Sequence, residues 1–333
     1  MSSLVWDSTG QVNLYLQSII SNPNWLLPFS IVGDELFYLV LIPFVFFVVD
    51  KRAGVALLFA LLLTSSFNSM VKLWFQQPRP YWVTDIHVGA FEDSYSLPSG
   101  HAQNAVVIWG FLTSFLIQSG RANRKIIIGT IILIFLITLS RLVVGVHFLQ
   151  DVLAGWLIGL ILLFLLIRYE STVANFYNNQ TAFGKFFIMA AISVLTIEIG
   201  ALSMPNTAAV GATAWFETAR QNLVASGVSF KELQPHQINP FLTTAGCLMG
   251  AYFAMQLPEP MYRTPQLFRN RVLLLIPGLV LIGAVYFVLH AIFPSAGIEG
   301  AILRMLRYAL VVFSGLYIYP YLVGLIQKRN PTT

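Results

Sequence analysis

The stretch SRLVVGVHFLQDVLAGWLIGLILLFLLI, residues 140–167, decides how the chain folds. Val152–Ile167 holds sixteen residues without a charge, and the upstream run 126–146 is interrupted only by Arg141. About 20 apolar residues carry a helix across a bilayer. The two runs therefore read as two membrane spans joined by a tight hairpin at Gly145–Phe148. Arg141, His147 and Asp151 then gather at the hairpin tip. Ionisable groups at span depth are costly and are kept for a task.

The rest of the chain has the same character. Of 333 residues, 57% are hydrophobic and 10% charged, whereas a soluble domain carries about 25% charged residues. There is too little charge to cover a water-facing surface. Apolar runs fall at roughly 25–49, 53–71, 102–119, 126–146, 148–167, 185–203, 241–257, 272–293 and 302–326, so the expected fold is all-α: a polytopic bundle of about nine transmembrane helices. Twelve basic residues fall on one side of these runs (Lys51, Arg52, Arg121, Arg124, Lys125, Arg168, Lys185, Arg263, Arg269, Arg271, Lys328, Arg329) and seven on the other. The positive-inside rule makes the first side cytoplasmic, with the N-terminus outside and the C-terminus inside. Three regions are expected: 1–49, an outer segment and first span; 50–168, a catalytic core; and 169–333, a four-span extension with an outer segment at 204–240. Within that segment Trp215, Phe216, Ala219, Leu223 and Val224 form one face of an expected interfacial helix. Residues 11–20 read the same way. Residues 1–10 lack the basic start of a cleavable signal. The single cysteine, Cys247, excludes an internal disulfide and reads as packing.

Three segments on the outer side carry chemistry. KLWFQQPRP (Lys72–Pro80) ends the second span with two cations in a proline-stiffened loop. PSGH (Pro98–His101) opens the third span. SRLVVGVHFLQD (Ser140–Asp151) crosses the hairpin. Ser99 and Gly100 at a helix start offer free backbone amides to an oxyanion. Arg79 and Arg141 supply planar forks, and Lys72 a point charge. Such a set suits a tetrahedral dianion. His147 and Asp151, four apart, share a helix face, and a carboxylate beside an imidazole fixes its tautomer and turns the other nitrogen outward. His147 is therefore the expected nucleophile, forming a phosphohistidine, and His101 the acid that protonates the leaving oxygen and later activates water. The pair starts with His147 neutral and His101 protonated, which implies a bell-shaped pH profile.

The ordered set Lys-x6-Arg-Pro, Pro-Ser-Gly-His and Ser-Arg-x5-His-x3-Asp resembles the tripartite signature of the type-2 phosphatidic acid phosphatase superfamily, which includes the vanadium haloperoxidases and the glucose-6-phosphatases. Lys72, Arg79, Pro80, Pro98, Ser99, Gly100, His101, Ser140, Arg141, His147 and Asp151 all match. The resemblance covers about residues 50–168. It implies a metal-independent, cofactor-free phosphatase with the histidine roles just derived. The nine expected spans, Pro240-Phe241 and Met261-Tyr262-Arg263 resemble the glucose-6-phosphatase branch. The ending QKRNPTT lacks a dilysine signal, and the sequon at Asn179 lies on the expected cytoplasmic side, so a bacterial inner membrane with a periplasmic site is expected.

The expected substrate is a lipid phosphate monoester at the membrane edge, with a sugar phosphate as the alternative. A phosphotransferase, a transporter with a phosphate site and a haloperoxidase are more distant readings. The bilayer is an expected partner and nucleic acid is not; the sequence leaves the oligomeric state open. Asp85, Glu92 and Asp93 would repel a phosphate and read as rim residues or loop caps. His87 reads as a solvated loop residue, His290 as interface packing, and Glu198 as a buried carboxylate within a span. No His/Cys/carboxylate spacing points to a structural metal.

Overall fold

The computed structural model describes residues 3–20, 22–204, 212–229, 232–258, 268–294 and 296–329. Met261-Tyr262-Arg263 and Lys231 lie outside them. The described residues form helices and no strand. In chain order these are α1 (Ser3–Ile19), α2 (Leu27–Val32), α3 (Glu35–Phe44), α4 (Lys51–Phe75), α5 (Pro80–Val83), α6 (Gly100–Gln118), α7 (Arg124–Val143), α8 (Leu149–Asn178), α9 (Ala182–Ser203), α10 (Ala212–Ala225), α11 (Asn239–Gln256), α12 (Phe268–Ile292), α13 (Gly297–Phe313) and α14 (Tyr319–Arg329). A π-helical turn, Val45–Val49, continues α3, and another, Ser314–Ile318, joins α13 to α14.

Each of the nine apolar runs falls on helix. Six stretches are long and apolar enough to cross a membrane: Lys51–Val83, Arg124–Val143, Leu149–Asn178, Ala182–Ser203, Arg269–Ile292 and Gly297–Lys328. Leu36–Val49 is a shorter apolar one. The runs at 102–119 and 241–257 form α6 and α11, which are more buried and less apolar. The chain is an integral membrane protein. The outer stripe of α8, with Leu153, Leu157, Leu160, Ile161 and Phe164 all exposed, is what lipid rather than water requires.

Helix boundaries follow local chemistry. The Asp50 carboxylate accepts the Ala53 amide at 2.9 Å and starts α4. Asn123 caps α7 by accepting from the amides of Lys125 and Ile126. After α7 the chain turns at Gly145, whose φ of +78° suits glycine. The expected hairpin is present, with five residues, Val144–Phe148, between the helices.

The chain divides into two compact units. One comprises Met1–Tyr38, Leu63–Arg168 and Leu202–Gln237. In it, Gly155 and Gly159 of α8 lie against Ser99, Ala102 and Val106 of α6, where a Cβ on Gly155 would come within 2.7 Å of the Ser99 carbonyl. A small-x3-small face of this kind lets two membrane helices approach closely. The other unit comprises Leu39–Leu62, Tyr169–Ala201 and Ile238–Thr333. There Gly246 and Gly250 of α11 do the same against the backbone of Met305 and Ala309 in α13. Cys247 is buried on α11, as expected. Glu198 is exposed on α9 rather than buried.

Two expectations about amphipathic segments change. Residues 11–20 belong to α1, which docks by polar groups: the Asn13 amide donates to the carbonyls of Leu142 and His147 at 2.8 and 2.9 Å. Helix α10 packs on protein, with Ala219 and Leu223 fully buried against Tyr81, Trp82, Ile86 and Tyr95. Val224 is 62% exposed, off that face. The α10 helix is fixed by Asn222, whose amide donates to the carbonyls of Tyr81 and Thr84.

Candidate active site

The signature residues converge at the end of the first unit where α4 ends, α6 begins and α7 turns into α8. Ser99 is the N-cap of α6: its hydroxyl accepts the Ala102 amide, and its own amide donates to the Asp151 carbonyl at 2.9 Å. The amides of Gly100 and His101 follow at the helix start, where no intrahelical acceptor exists. Gly100 passes close to Asn68 of α4, where a Cβ would meet the Asn68 Oδ1 at 3.2 Å. Asn68 donates to the Pro98 carbonyl and the Gln103 Oε1, and Gln103 donates to Thr64. This buried ladder holds the PSGH turn on α4.

Arg79 is fully buried. Its Nε donates to the Ser94 carbonyl at 2.6 Å, Nη2 to the Ser94 hydroxyl at 3.0 Å, and Nη1 to the Val146 carbonyl at 2.9 Å. The same Nη1 lies 3.3 Å from His147 Nε2. Lys72 Nζ reaches the Ser94 hydroxyl at 2.9 Å. Arg141 is buried and donates to the Ser30 hydroxyl at 2.6 Å.

His147 sits in the turn just before α8, buried. Its Nδ1 is 3.4 Å from Asp151 Oδ2 and 3.3 Å from the Ser96 hydroxyl. Ser96 donates to the same carboxylate oxygen at 2.5 Å, and the Phe148 amide does so at 2.8 Å. With Nδ1 toward the carboxylate, Nε2 carries the lone pair and points at Arg79. Burial first, then the charges of Arg79 and Lys72, hold this imidazole well below its ordinary pKa. It is a neutral base aimed at a cluster of cations. His101, in the first turn of α6, has its Nε2 buried with no hydrogen-bond partner. Gly33 lets the end of α2 lie over the His101 ring, where a Cβ would come within 2.9 Å of Cδ2.

Glu92 overturns an expectation. It is not a rim residue: its carboxylate is paired with Arg141 through Oε1 and with Arg79 through Oε2 at 3.5 Å. Burial alone would raise its pKa, but the two guanidiniums outweigh burial and hold it at about 2. Three cations drawn into one apolar setting need more negative charge than Asp151 supplies, and the 85–93 loop was the nearby source. Ser96 and Asn13 were also missed, since neither has a sequence signal. Asp93 accepts from Gln237, His87 is exposed, and Asp85 is exposed.

Beside Tyr95 lies a cavity of about 310 Å³, lined chiefly by Tyr95, Trp215, Phe216, Leu233, Pro235 and His236. Burial pushes the Tyr95 phenol up to about 12, so it stays protonated, and its oxygen lies 2.6 Å from His236 Nε2.

Residues 53–174, which contain all of these motifs, match the PAP2 superfamily. The chain carries a PAP2 superfamily domain. Residues 242–328 match the transmembrane extension of PAP2 superfamily phosphatases. Among similar proteins, phosphatidylglycerophosphatase B of Bacillus subtilis (strain 168) is 29% identical over 113 residues, 33% of this chain and 54% of that protein. Sphingosine-1-phosphate phosphatase 1 of Rattus norvegicus is 27% identical over 151 residues, 45% of this chain and 35% of that protein. The match thus spans about half or less of these curated relatives. The crystal structure of the PAP2-type phosphatidylglycerolphosphate phosphatase from Bacillus subtilis aligns with a TM-score of 0.46 and 24% identity, covering 52% of this chain and 89% of that one.

Proposed function

We propose that this protein is an integral membrane phosphatase that hydrolyses a lipid phosphate monoester at the non-cytoplasmic face. The observation that carries the reading is the orientation of His147: Nδ1 toward Asp151 and Ser96, Nε2 toward the guanidinium of Arg79. Substrate phosphate displaces the Glu92 carboxylate and takes up the donors of Arg79 and Arg141, with Lys72 and the Gly100 and His101 amides completing the cradle. His147 Nε2 attacks phosphorus, and the bond to the ester oxygen breaks. Burial and the Arg141 charge disfavour a protonated His101 before phosphate binds, so it carries its proton only once the phosphate dianion is bound. It then gives that proton to the ester oxygen, releasing the alcohol and leaving a phosphohistidine. His101, now neutral, takes a proton from water, and the hydroxide displaces phosphate from His147. Asp151 stabilises the cationic ring as it forms. The chain's own residues and one water supply every proton and electron pair in these steps.

Relatives named for phosphatidylglycerophosphate and sphingosine 1-phosphate support a lipid substrate. The cavity beside Tyr95 supports it too, because its walls, mostly aromatic and aliphatic with Gln234 and His236 as polar members, suit an apolar leaving group better than a sugar. The test is phosphate release by detergent-purified protein from phosphatidate, phosphatidylglycerophosphate, sphingosine 1-phosphate and glucose 6-phosphate. Release from lipids alone is expected, abolished by His147→Ala. Release from glucose 6-phosphate alone would establish the sugar phosphatase instead, and activity surviving His147→Ala would remove the nucleophile. Acid-labile, base-stable labelling of the protein from a ³²P-lipid is expected in the parent protein quenched during turnover and should be absent from His147→Ala.

A further inference from the structure

The second unit holds another concentration of cations. Arg304 and Arg307 are three apart on α13 and share a face. They lie roughly 10 and 15 Å along the helix from its start, at 1.5 Å per residue. Both α12 and α13 belong to stretches that can cross a membrane. Arg307 is 5% exposed. An arginine within a span is costly and usually pairs with another charged or polar group. Among the described residues, no ion pair includes either arginine.

Their neighbours are neutral. Arg307 Nη1 is 2.9 Å from His290 Nδ1, which must be unprotonated to accept from it. The Arg307 guanidinium lies 5.7 Å from the ring centre of Tyr286 and 5.2 Å from that of Tyr308. Arg304 Nε donates to Thr243 at 3.1 Å, and its guanidinium is 5.5 Å from Tyr308. Arg307 Nε is buried with no partner. A guanidinium has five N–H donors, and among the described residues one donor of each arginine is engaged. Two guanidiniums with free donors and no counter-charge complement an anion with several oxygens in fixed geometry, which is a phosphate group. On the same two helices Phe287, Val288, Ile292, Ile298 and Ile302 are exposed, a surface on which acyl chains can lie.

We propose that Arg304, Arg307 and His290 form a second phosphate-recognition site that takes the headgroup of an anionic membrane lipid. Among the described residues no carboxylate pairs with His290, and its Nδ1 is engaged by Arg307, so the site binds without hydrolysing. The proposal does not rest on the reaction assigned to the PAP2 region, because it is read without turnover.

Protein carrying His147→Ala, purified in an uncharged detergent, is titrated with dioleoyl phosphatidylglycerol, dioleoyl phosphatidylcholine or inorganic phosphate, and bound molecules are counted by native mass spectrometry. The expected result is one phosphatidylglycerol retained per chain, at least tenfold more weakly after Arg304→Gln/Arg307→Gln and unchanged by Arg79→Gln. Equal retention by parent and double variant, or equal retention of phosphatidylcholine, overturns the proposal. Displacement of the lipid by millimolar inorganic phosphate would show a site for soluble anions and also overturn it. Should the double variant lose its cooperative thermal transition, Arg304→Gln alone serves: at least threefold weakening is expected, and none refutes the site.

Discussion

At the scale of single residues, Glu92 and His147 set the sharpest expectations. Glu92 neutralises the guanidiniums that a phosphate would use. Glu92→Gln should therefore lower KM for the phosphate ester and lower the inhibition constant for inorganic phosphate, the latter about tenfold, since hydrogen bonds to charged groups contribute about 1.5–3 kcal/mol. A raised inhibition constant would show that Glu92 helps the anion bind. Its pKa is held down at about 2 in the folded state, against about 4.3 unfolded. The stability it contributes is thus complete above that unfolded value and is lost as pH falls toward 2. Thermal unfolding between pH 5 and pH 2.5 should show the loss, and Glu92→Gln should show less of it. For His147 the sign is different in origin. Burial and cations disfavour the imidazolium, so the acid limb of kcat/KM should lie below the ordinary imidazole value of about 6.5. An acid limb above that value would contradict a buried neutral nucleophile. The signature residues that converge were picked out one by one by their spacing. Glu92 was misread because like-charge repulsion with a phosphate was weighed, whereas the two buried guanidiniums set the stronger demand.

At the scale of elements, the site depends on how the ends of α1, α4, α6 and α8 are tied together. Asn13 of α1 is the donor to the buried carbonyl of His147. Asn13→Ala leaves that carbonyl without it, at a cost of about 1–3 kcal/mol. The variant should unfold at lower temperature, and kcat should fall more than KM rises, because the turn that aims His147 is loosened. An unchanged kcat would mean that α8 alone fixes the ring. Helix existence was legible throughout, since apolar runs of this length admit little else in lipid. What each helix touches was not. The polar stripe of α1 and the apolar face of α10 each read as surface-seeking, yet both are consumed by protein: Asn13 and Gln17 by the α7–α8 turn, and Ala219 and Leu223 by the loop around Tyr81 and Trp82. Amphipathicity marks which face is buried, and the partner depends on loop paths that no local pattern encodes.

At the scale of the whole molecule, orientation is the open expectation. The count of twelve basic residues against seven places the α8–α9 turn and the C-terminus in the cytoplasm. A reporter that is active only in the cytoplasm should work when fused after Asn179 or after Thr333, and fail when inserted after Gly227. The reverse pattern would move the proposed reaction to the other side of the membrane. Composition made membrane residence plain, and the PAP2 region was legible from its motifs. In the C-terminal extension the spans and short resemblances at Pro240-Phe241 and Met261-Tyr262-Arg263 were read, but not Arg304, Arg307 and His290, which conform to no spacing that carries a chemical meaning in one dimension.

The pairing of Glu92 with Arg79 and Arg141 bears on how such a protein is made. A nascent chain threading into a bilayer must bring two guanidiniums side by side where few ions from solution follow. By carrying its own counter-ion on the adjoining loop, the polypeptide can close that pocket during biogenesis whatever the supply of free anion, so assembly of the protein need not wait for a bound phosphate.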